Sequence, residues 1–433
     1  MASLLQRRLG KLLKIEPDEF VVASLSFLFV LSLMASYYVL RPVRDAMASD
    51  WSDAELSWLW TLNFFISGGA VLLYGWIASK VTLSRLVPAV YLFFAASFTV
   101  FYLASQGPYD TRLVDQAFYI WVSFFALFHV SVFWSFMANL YNSAQSKRLF
   151  GLFGAGASIG ALLGPLIAVL LSERLGVYNL LLLAAVMLLL VIPVILRLQR
   201  YRPATQGNQT ATFENPLGGN FVDGFVDLLG HRFLLGIALF LLLYTMMSSF
   251  VYFELKNVLA EYDRATRAQY WGMMDLAVNT LSILAAVFLT SRLATRFGLA
   301  VTLALVPVLL VIGWLAVAIV PALAILIGLQ IVRRAGNYAI TRPGREMLFT
   351  RVPTATRFKT KPVIDIVVYR GGDVLAGWTY TALAQGIGLG LGAIAMVAAV
   401  LALLWTLVAV FLGVSYENNQ AIAEPPAVAT TET

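Results

Sequence analysis

The chain has 433 residues, 60% of them hydrophobic and only 12% charged, with no cysteine, and its mean hydropathy is +0.81. A soluble domain is about half apolar and roughly a quarter charged, so an ordinary cytosolic enzyme is excluded, as are a disulfide framework, a thiolate nucleophile and an iron–sulfur site. His129 and His231 are too far apart for a metal centre, and no G-x-x-x-x-G-K-[ST] loop is present.

From the amino end, Met1 to Phe20 carries Arg7, Arg8, Lys11 and Lys14 and leads into an apolar run too long for a signal peptide. Residues 1–19 are therefore expected to form a cytoplasmic amphipathic lead-in on the inner leaflet, ahead of an uncleaved first span. Apolar runs fall at 20–40, 56–78, 86–105, 116–138, 150–171 and 178–196. After a polar connection over 198–231 they resume at 233–254, 270–290, 299–319, 321–341, 363–384 and 388–413. A span needs about 20 apolar residues, so the pattern predicts six spans, a linker and six more. Residues 414–433, acidic and without apolar period, are expected to be a disordered cytoplasmic tail.

The two halves echo each other. Tyr37-Tyr38-Val39-Leu40-Arg41 closes the first run and Tyr252-Phe253-Glu254-Leu255-Lys256 the seventh. The expected fold is an all-α membrane protein of twelve transmembrane helices. They form two pseudo-symmetric six-helix bundles, 20–197 and 232–413, with a cavity between them. Parallel six-helix repeats are the signature of the major facilitator architecture. Of the 30 Lys and Arg residues, 20 lie at the amino end or with the connections after even-numbered runs, 7 with those after odd-numbered runs, and Arg333, Arg334 and Arg370 within runs. The positive-inside bias places both termini in the cytoplasm, in a cell inner membrane. The +7 formal charge reads as this bias and not as a nucleic-acid surface.

An ionisable group near the bilayer centre costs on the order of 2.5–3.5 kcal/mol and must face a partner or a wet cavity. The cations that meet this test are Arg41, Arg44, Lys256, Arg333, Arg334 and Arg370, and the acids are Asp45, Glu254, Asp275, Asp365 and Asp373. Each has a plain alternative. Pro42 stops or bends the first helix, which would leave Arg41, Arg44 and Asp45 in an outer loop. Arg333 and Arg334 could snorkel at the cytoplasmic rim; if they line a cavity instead, adjacent helical positions differ by about 100°, so only one of the pair points fully inward. Asp365 or Asp373 could simply neutralise Arg370. If several acids are consumed in pairing, the cavity stays basic, and Arg matches carboxylate or phosphate oxygens bidentately. Gly156, Gly160 and Gly164, followed by Pro165, put small residues on one helix face for close packing or for rocking of one half on the other. Lys147 and Arg148, echoed by Lys359 and Lys361, are read as gating or packing residues.

Several islands carry a family resemblance. Arg41-Pro42-Val43-Arg44-Asp45 resembles the Leu-Arg-x-x-Lys-Asp stretch of the ATP/ADP translocase family of plastids and intracellular bacteria. Phe133-Trp134-Ser135-Phe136, then Lys147-Arg148-Leu149-Phe150, resembles its fourth-to-fifth-span segment. Arg345-Glu346-Met347, then Lys359-Thr360-Lys361, Asp365 and Arg370, resembles its run through spans ten and eleven. The pattern departs in two places: Ala117 to Phe128 contains no acid, and Leu255-Lys256 keeps only part of the seventh-span motif. The resemblance implies a nucleotide transporter or antiporter. The expectation is a secondary transporter of an organic anion, a nucleotide or another phosphorylated metabolite, working by alternating access in exchange or with protons. No cofactor, metal or nucleic acid is expected, and the chain is read as a monomer in the lipid bilayer. The alternatives are proton-driven efflux of small amphipathic compounds, which the Gly160-to-Pro165 segment favours, and a membrane-embedded lipid-handling protein.

Overall fold

The computed structural model describes Glu16 and residues 19–201, 221–288 and 290–418, and among these no strand occurs. Most of the lead-in, the connection from 202 to 220 and the tail from 419 lie outside the described residues. In chain order the helices are α1 (Phe20–Met47), α2 (Asp53–Lys80), α3 (Leu83–Gln106), α4 (Thr111–Leu140), α5 (Ser143–Leu175), α6 (Asn179–Arg200) and a short α7 (Phe221–Gly230). They continue with α8 (Arg232–Leu259), α9 (Arg264–Phe288), α10 (Thr290–Ile319), α11 (Leu323–Gly336), α12 (Arg342–Leu348), α13 (Thr354–Pro362), α14 (Tyr369–Thr381) and α15 (Leu391–Glu417). Eight stretches among the described residues, on α1, α3, α4, α5, α6, α8, α10 and α15, are long and apolar enough to cross a membrane. The other four apolar runs fall on α2, α9, α11 and α14. Of these, α11 and α14 continue into π turns at Asn337–Thr341 and Ala382–Gly386, and α14 is preceded by another at Val363–Val368.

The chain divides into two compact units, Met1–Gln209 with Leu259–Asn279, and Thr210–Val258 with Thr280–Thr433. In the first, local chemistry sets several helix starts. Asn142 and Gln145 form a reciprocal capping box at the head of α5, and Asp263 accepts from the Ala265 and Thr266 amides at the head of α9 (2.9 and 3.1 Å). Arg148 forks onto Glu19 at 2.9 and 3.1 Å and also reaches Glu16, tying the starts of α1 and α5. Burial raises the Glu19 carboxyl, but Gln145, Arg148 and the Glu16 amide outweigh it and hold the group below its ordinary range. The Lys147 side chain lies outside the described residues.

Along the seam of α1 and α5 the glycine face takes the role of close contact. A Cβ on Gly160 would run into the Leu31 carbonyl and stand 2.9 Å from Met34 Cβ, and one on Gly164 would meet Ala35 O and Tyr38 Cβ at 2.6 Å. Gly156 meets Phe27 and Val30 in the same way, and the Pro165 carbonyl lies beside Gly272 of α9. Contrary to the expectation from Pro42, α1 continues past it to Met47. Pro42, Val43, Asp45, Ala46 and Met47 are all buried, and their packing offsets the hydrogen bond that proline removes.

In the second unit α10 and α15 pack along their length, closely enough that a Cβ on Gly413 would overlap Ala300. Inside α10 the helix breaks at Gly298, whose φ of 78° is left-handed. The half that restarts is capped by Glu417, which accepts from the Leu299 amide at 2.7 Å. This contact also carries α15 a turn beyond the end expected at 413.

Candidate functional site

In the first unit the last turns of α1 face α4. Asp45, 2% exposed, accepts from Arg44 Nε and Nη2 at 2.9 and 2.6 Å and lies 3.7 Å from Arg41. Arg41 is also 3.8 Å from Asp275 of α9, a residue 1% exposed. The Arg44 guanidinium donates to Ser123 (3.3 Å) and sits 5.2 Å from the Tyr119 ring centre. Two guanidiniums here meet two carboxylates. One helical turn back, Tyr37 stacks on His129 at 4.7 Å. Because the Phe125 carbonyl can only accept, the 3.0 Å contact to it puts the proton on His129 Nδ1.

A second polar cluster in this unit escaped the sequence reading. Arg264 at the head of α9 reaches Asp50 Oδ2, Asp115 Oδ2 and the Tyr178 hydroxyl, each at 2.7 Å. Tyr178 in turn donates to Asp115 Oδ1 at 2.8 Å. Arg267 pairs with Asp50 at 2.6 Å and caps the Leu259 and Ala260 carbonyls. Burial, and then the bond to Asp115, push the Tyr178 phenol up to about 12, so it remains a donor at any ordinary pH. The signal available beforehand was weak: Arg264 and Arg267 read as loop cations, and Asp115 stands one residue outside the fourth apolar run.

In the second unit Arg333 and Arg334 are both buried, each 4% exposed, so neither snorkels to an exposed rim. Arg333 finds its partners on two helices. Its Nε and Nη2 donate to Gln330 at 3.2 and 2.7 Å, and its Nη1 stands 3.5 Å from the Tyr244 hydroxyl of α8. Tyr244 lies in the electrostatic field of Arg333, Arg334 and Asp373, and its ring centre is 6.3 Å from that of Tyr369. Asp373 in α14 lies within the electrostatic field of Arg370 and Arg333. The structure therefore gathers Arg333, Arg334, Arg370 and Asp373 around two tyrosines. The backbones can close up here because Gly372, beside Asp373, presses on Thr245 of α8.

Other candidates go elsewhere. Asp365 pairs with Arg345 at 2.9 Å. Lys361 binds Glu346, and Lys359 lies half-buried on the same short helix, α13. At the end of α8, Glu254 and Lys256 are both buried, with the Lys256 ammonium 5.7 Å from the Phe253 ring centre.

This chain is similar to several solved transporters. A bacterial homologue of the human lysosomal transporter Spinster, inward-facing and unoccupied, shares 13% identity over 95% of this chain and all of its own, with a TM-score of 0.57. The nucleoside transporter NupG shares 13% over 92% of this chain and 99% of its own (TM-score 0.65). A POT family transporter in complex with 5-aminolevulinic acid shares 14% over 91% and 96% (TM-score 0.63). No curated protein matches. The family profile that does match, over residues 25–344, is that of the Major Facilitator Superfamily. This corrects the ATP/ADP translocase resemblance, and the nucleotide transporter drawn from it falls away. Its most specific motif residues, Arg345, Glu346, Lys361 and Asp365, bind one another, as do Arg44 and Asp45. Short alternations of charge are what any tightly packed connection uses to neutralise itself, and they identify no cargo. With more than half of its length matched by that profile, the chain belongs to the Major Facilitator Superfamily and is a transporter, moving small organic solutes by alternating access, not an enzyme.

Proposed function

We propose that the transported solute is a small organic anion bearing a carboxylate or phosphate, and that Arg333, Arg334 and Arg370 bind it. The observation that carries this reading is the gathering of Arg333, Arg334 and Arg370 around the Tyr244 and Tyr369 pair. In the first unit Arg41 and Arg44 are matched by Asp45 and Asp275. In the second, three arginines gather about the tyrosine pair, with Asp373 in the field of Arg370 and Arg333. Holding three guanidiniums together at membrane depth is costly, and an anion that binds bidentately offsets that cost while it is present. Gln330, Tyr244 and Tyr369 orient the guanidiniums, and their amide and hydroxyl groups give the bound solute its remaining hydrogen bonds.

Twelve spans in two six-helix bundles, with both termini cytoplasmic in an inner membrane, remain our reading of the topology; the Lys and Arg asymmetry supports it. The test is a panel of small carboxylates and phosphates, each with a neutral amide or ester counterpart, applied to the purified protein in thermal-shift and proteoliposome counterflow assays. At least one anion should stabilise the protein and exchange. Arg333→Gln and Arg370→Gln should each weaken that response about tenfold, the equivalent of 1.4 kcal/mol. Equal responses to the neutral counterparts would end the anion reading. Repeating counterflow with and without a pH gradient separates exchange from proton coupling.

A further inference from the structure

We propose that Asn279 is a positioning residue of the transport cycle. It fills a hydrogen-bond vacancy that Pro165 opens in α5, and the bond is made in one state of the carrier, with α9 docked on α5, and broken in the other. The proposal rests on the two-bundle reading of the topology and is independent of the solute's charge.

The vacancy follows from covalent structure. In an α-helix the amide of residue 165 donates to the carbonyl of residue 161. Pro165 lies inside α5 and has no N–H, so Ala161 O loses that bond. Asn279 of α9 brings a donor from another helix, its Nδ2 standing 2.7 Å from Ala161 O. Ala161 is 6% exposed and Asn279 8%, and a buried acceptor stripped of its donor costs more than a typical bond contributes. The same two helices meet again further along. A Cβ on Gly272 would stand 2.8 Å from Val169 Cγ2 and 3.2 Å from Pro165 O, and Ser172 donates to Ala265 O at 3.4 Å. The contacts run antiparallel, and all of them lie within the first unit.

The division of the chain into compact units gives the bond its place in the cycle. It cuts α9 immediately after Asn279: Leu259–Asn279 go with α5, and Thr280 onward with the second unit. Rocking of one six-helix bundle against the other parts α9, from the eighth apolar run, from α5, from the fifth. Parting exposes Ala161 O to water, and docking returns it to Asn279. A helix without proline keeps that carbonyl bonded throughout and gives the docked state no such dependence on one side chain. Pro165 therefore transfers part of the holding energy of α5 to a contact that can open.

The experiment uses the full-length protein in proteoliposomes. Because the chain has no cysteine, Ser172→Cys, at a fully buried position facing α9, reports undocking through its rate of labelling by a membrane-impermeant maleimide. Asn279→Leu, close in volume but without the amide, should raise that rate about tenfold, the effect of leaving one buried acceptor unpaired. Pro165→Ala returns an N–H to Ala161 from within α5, and in that background Asn279→Leu should change the rate by less than about twofold. Melting temperatures should follow the same pattern, with Asn279→Leu lowering the value in the Pro165 chain and sparing it in the Pro165→Ala chain. The melting pattern tests the bond whatever the number of spans, and the labelling rate tests the undocking. Failure of the two-bundle reading therefore leaves the first and removes the second. The proposal is overturned by a labelling rate that Asn279→Leu leaves within about twofold of the parent, or by an equal effect of Asn279→Leu in both backgrounds. If Pro165→Ala does not fold, the labelling rate of Asn279→Leu decides alone.

Discussion

Removing Asp115 should release the start of α9 from the rest of its unit. The Asp115 side chain is 1% exposed and takes two donors, Arg264 at 2.7 Å and Tyr178 at 2.8 Å. In Asp115→Ala both donors lose their acceptor. A charge-assisted bond contributes about 1.5–3 kcal/mol and a neutral one about 1. The Arg264 side chain, however, is 32% exposed and keeps Asp50 at 2.7 Å, so solvent and the second acid take back part of the loss. The balance is about 2–3 kcal/mol of local closure, or about a 30- to 150-fold larger open population. The chain has no cysteine, so a single Ser172→Cys substitution serves as a background-free reporter. Ser172 is fully buried, and its hydroxyl donates to Ala265 O of α9 at 3.4 Å. Modification of that cysteine by a membrane-impermeant maleimide should accelerate by the same factor when Asp115→Ala is added, and Arg264→Gln should act likewise. A labelling rate unchanged within twofold would mean that the cluster does not hold α9 down.

Two further outcomes follow from the packing and the charges. Gly160→Val, which drives a branched Cβ into the Leu31 carbonyl, should cost about 1–3 kcal/mol or more. Gly154→Ala, with nothing within 4 Å of its added carbon, should leave the melting temperature unchanged; equal melting temperatures for the two would refute the contact. For Glu19 the folded-state pKa lies below the ordinary 4.5, so its stabilisation is complete above that value and is lost as pH falls through the lower, folded-state value. The melting-temperature gap between the native chain and Glu19→Gln should therefore be constant from pH 6 to 8 and close under acid, and a gap that widens on acidification would reverse the sign of the argument.

Much of the architecture was legible because it rests on local periodicity. Each apolar run falls on a helix, and Gly156, Gly160 and Gly164, spaced by four residues, share the face that packs on α1. What was not legible depends on distance through space. Nothing along the chain says that Asp275 lies by Arg41, 234 positions away, or that Asp365 prefers Arg345 to Arg370. The burial of both Arg333 and Arg334 depends on Gln330 and on Tyr244 of another helix. The π turns at Asn337–Thr341 and Val363–Val368 defeat face assignment as well. Each widens the helical turn beyond 3.6 residues, so an extrapolated stripe drifts off its face beyond that point. The nucleotide resemblance failed for a related reason: Arg, Lys, Asp and Glu in close sequence look the same whether they hold a ligand or one another.

The contact between Glu417 and the Leu299 amide has a practical corollary for anyone handling this protein. The carboxylate plugs the open end of a helix that begins more than a hundred residues earlier, so the final turn of α15 works as a stopper and not as trailing sequence. Purification tags and fluorescent fusions belong after Asn418, and a chain trimmed back to 413 would surrender the stopper along with the turn that carries it.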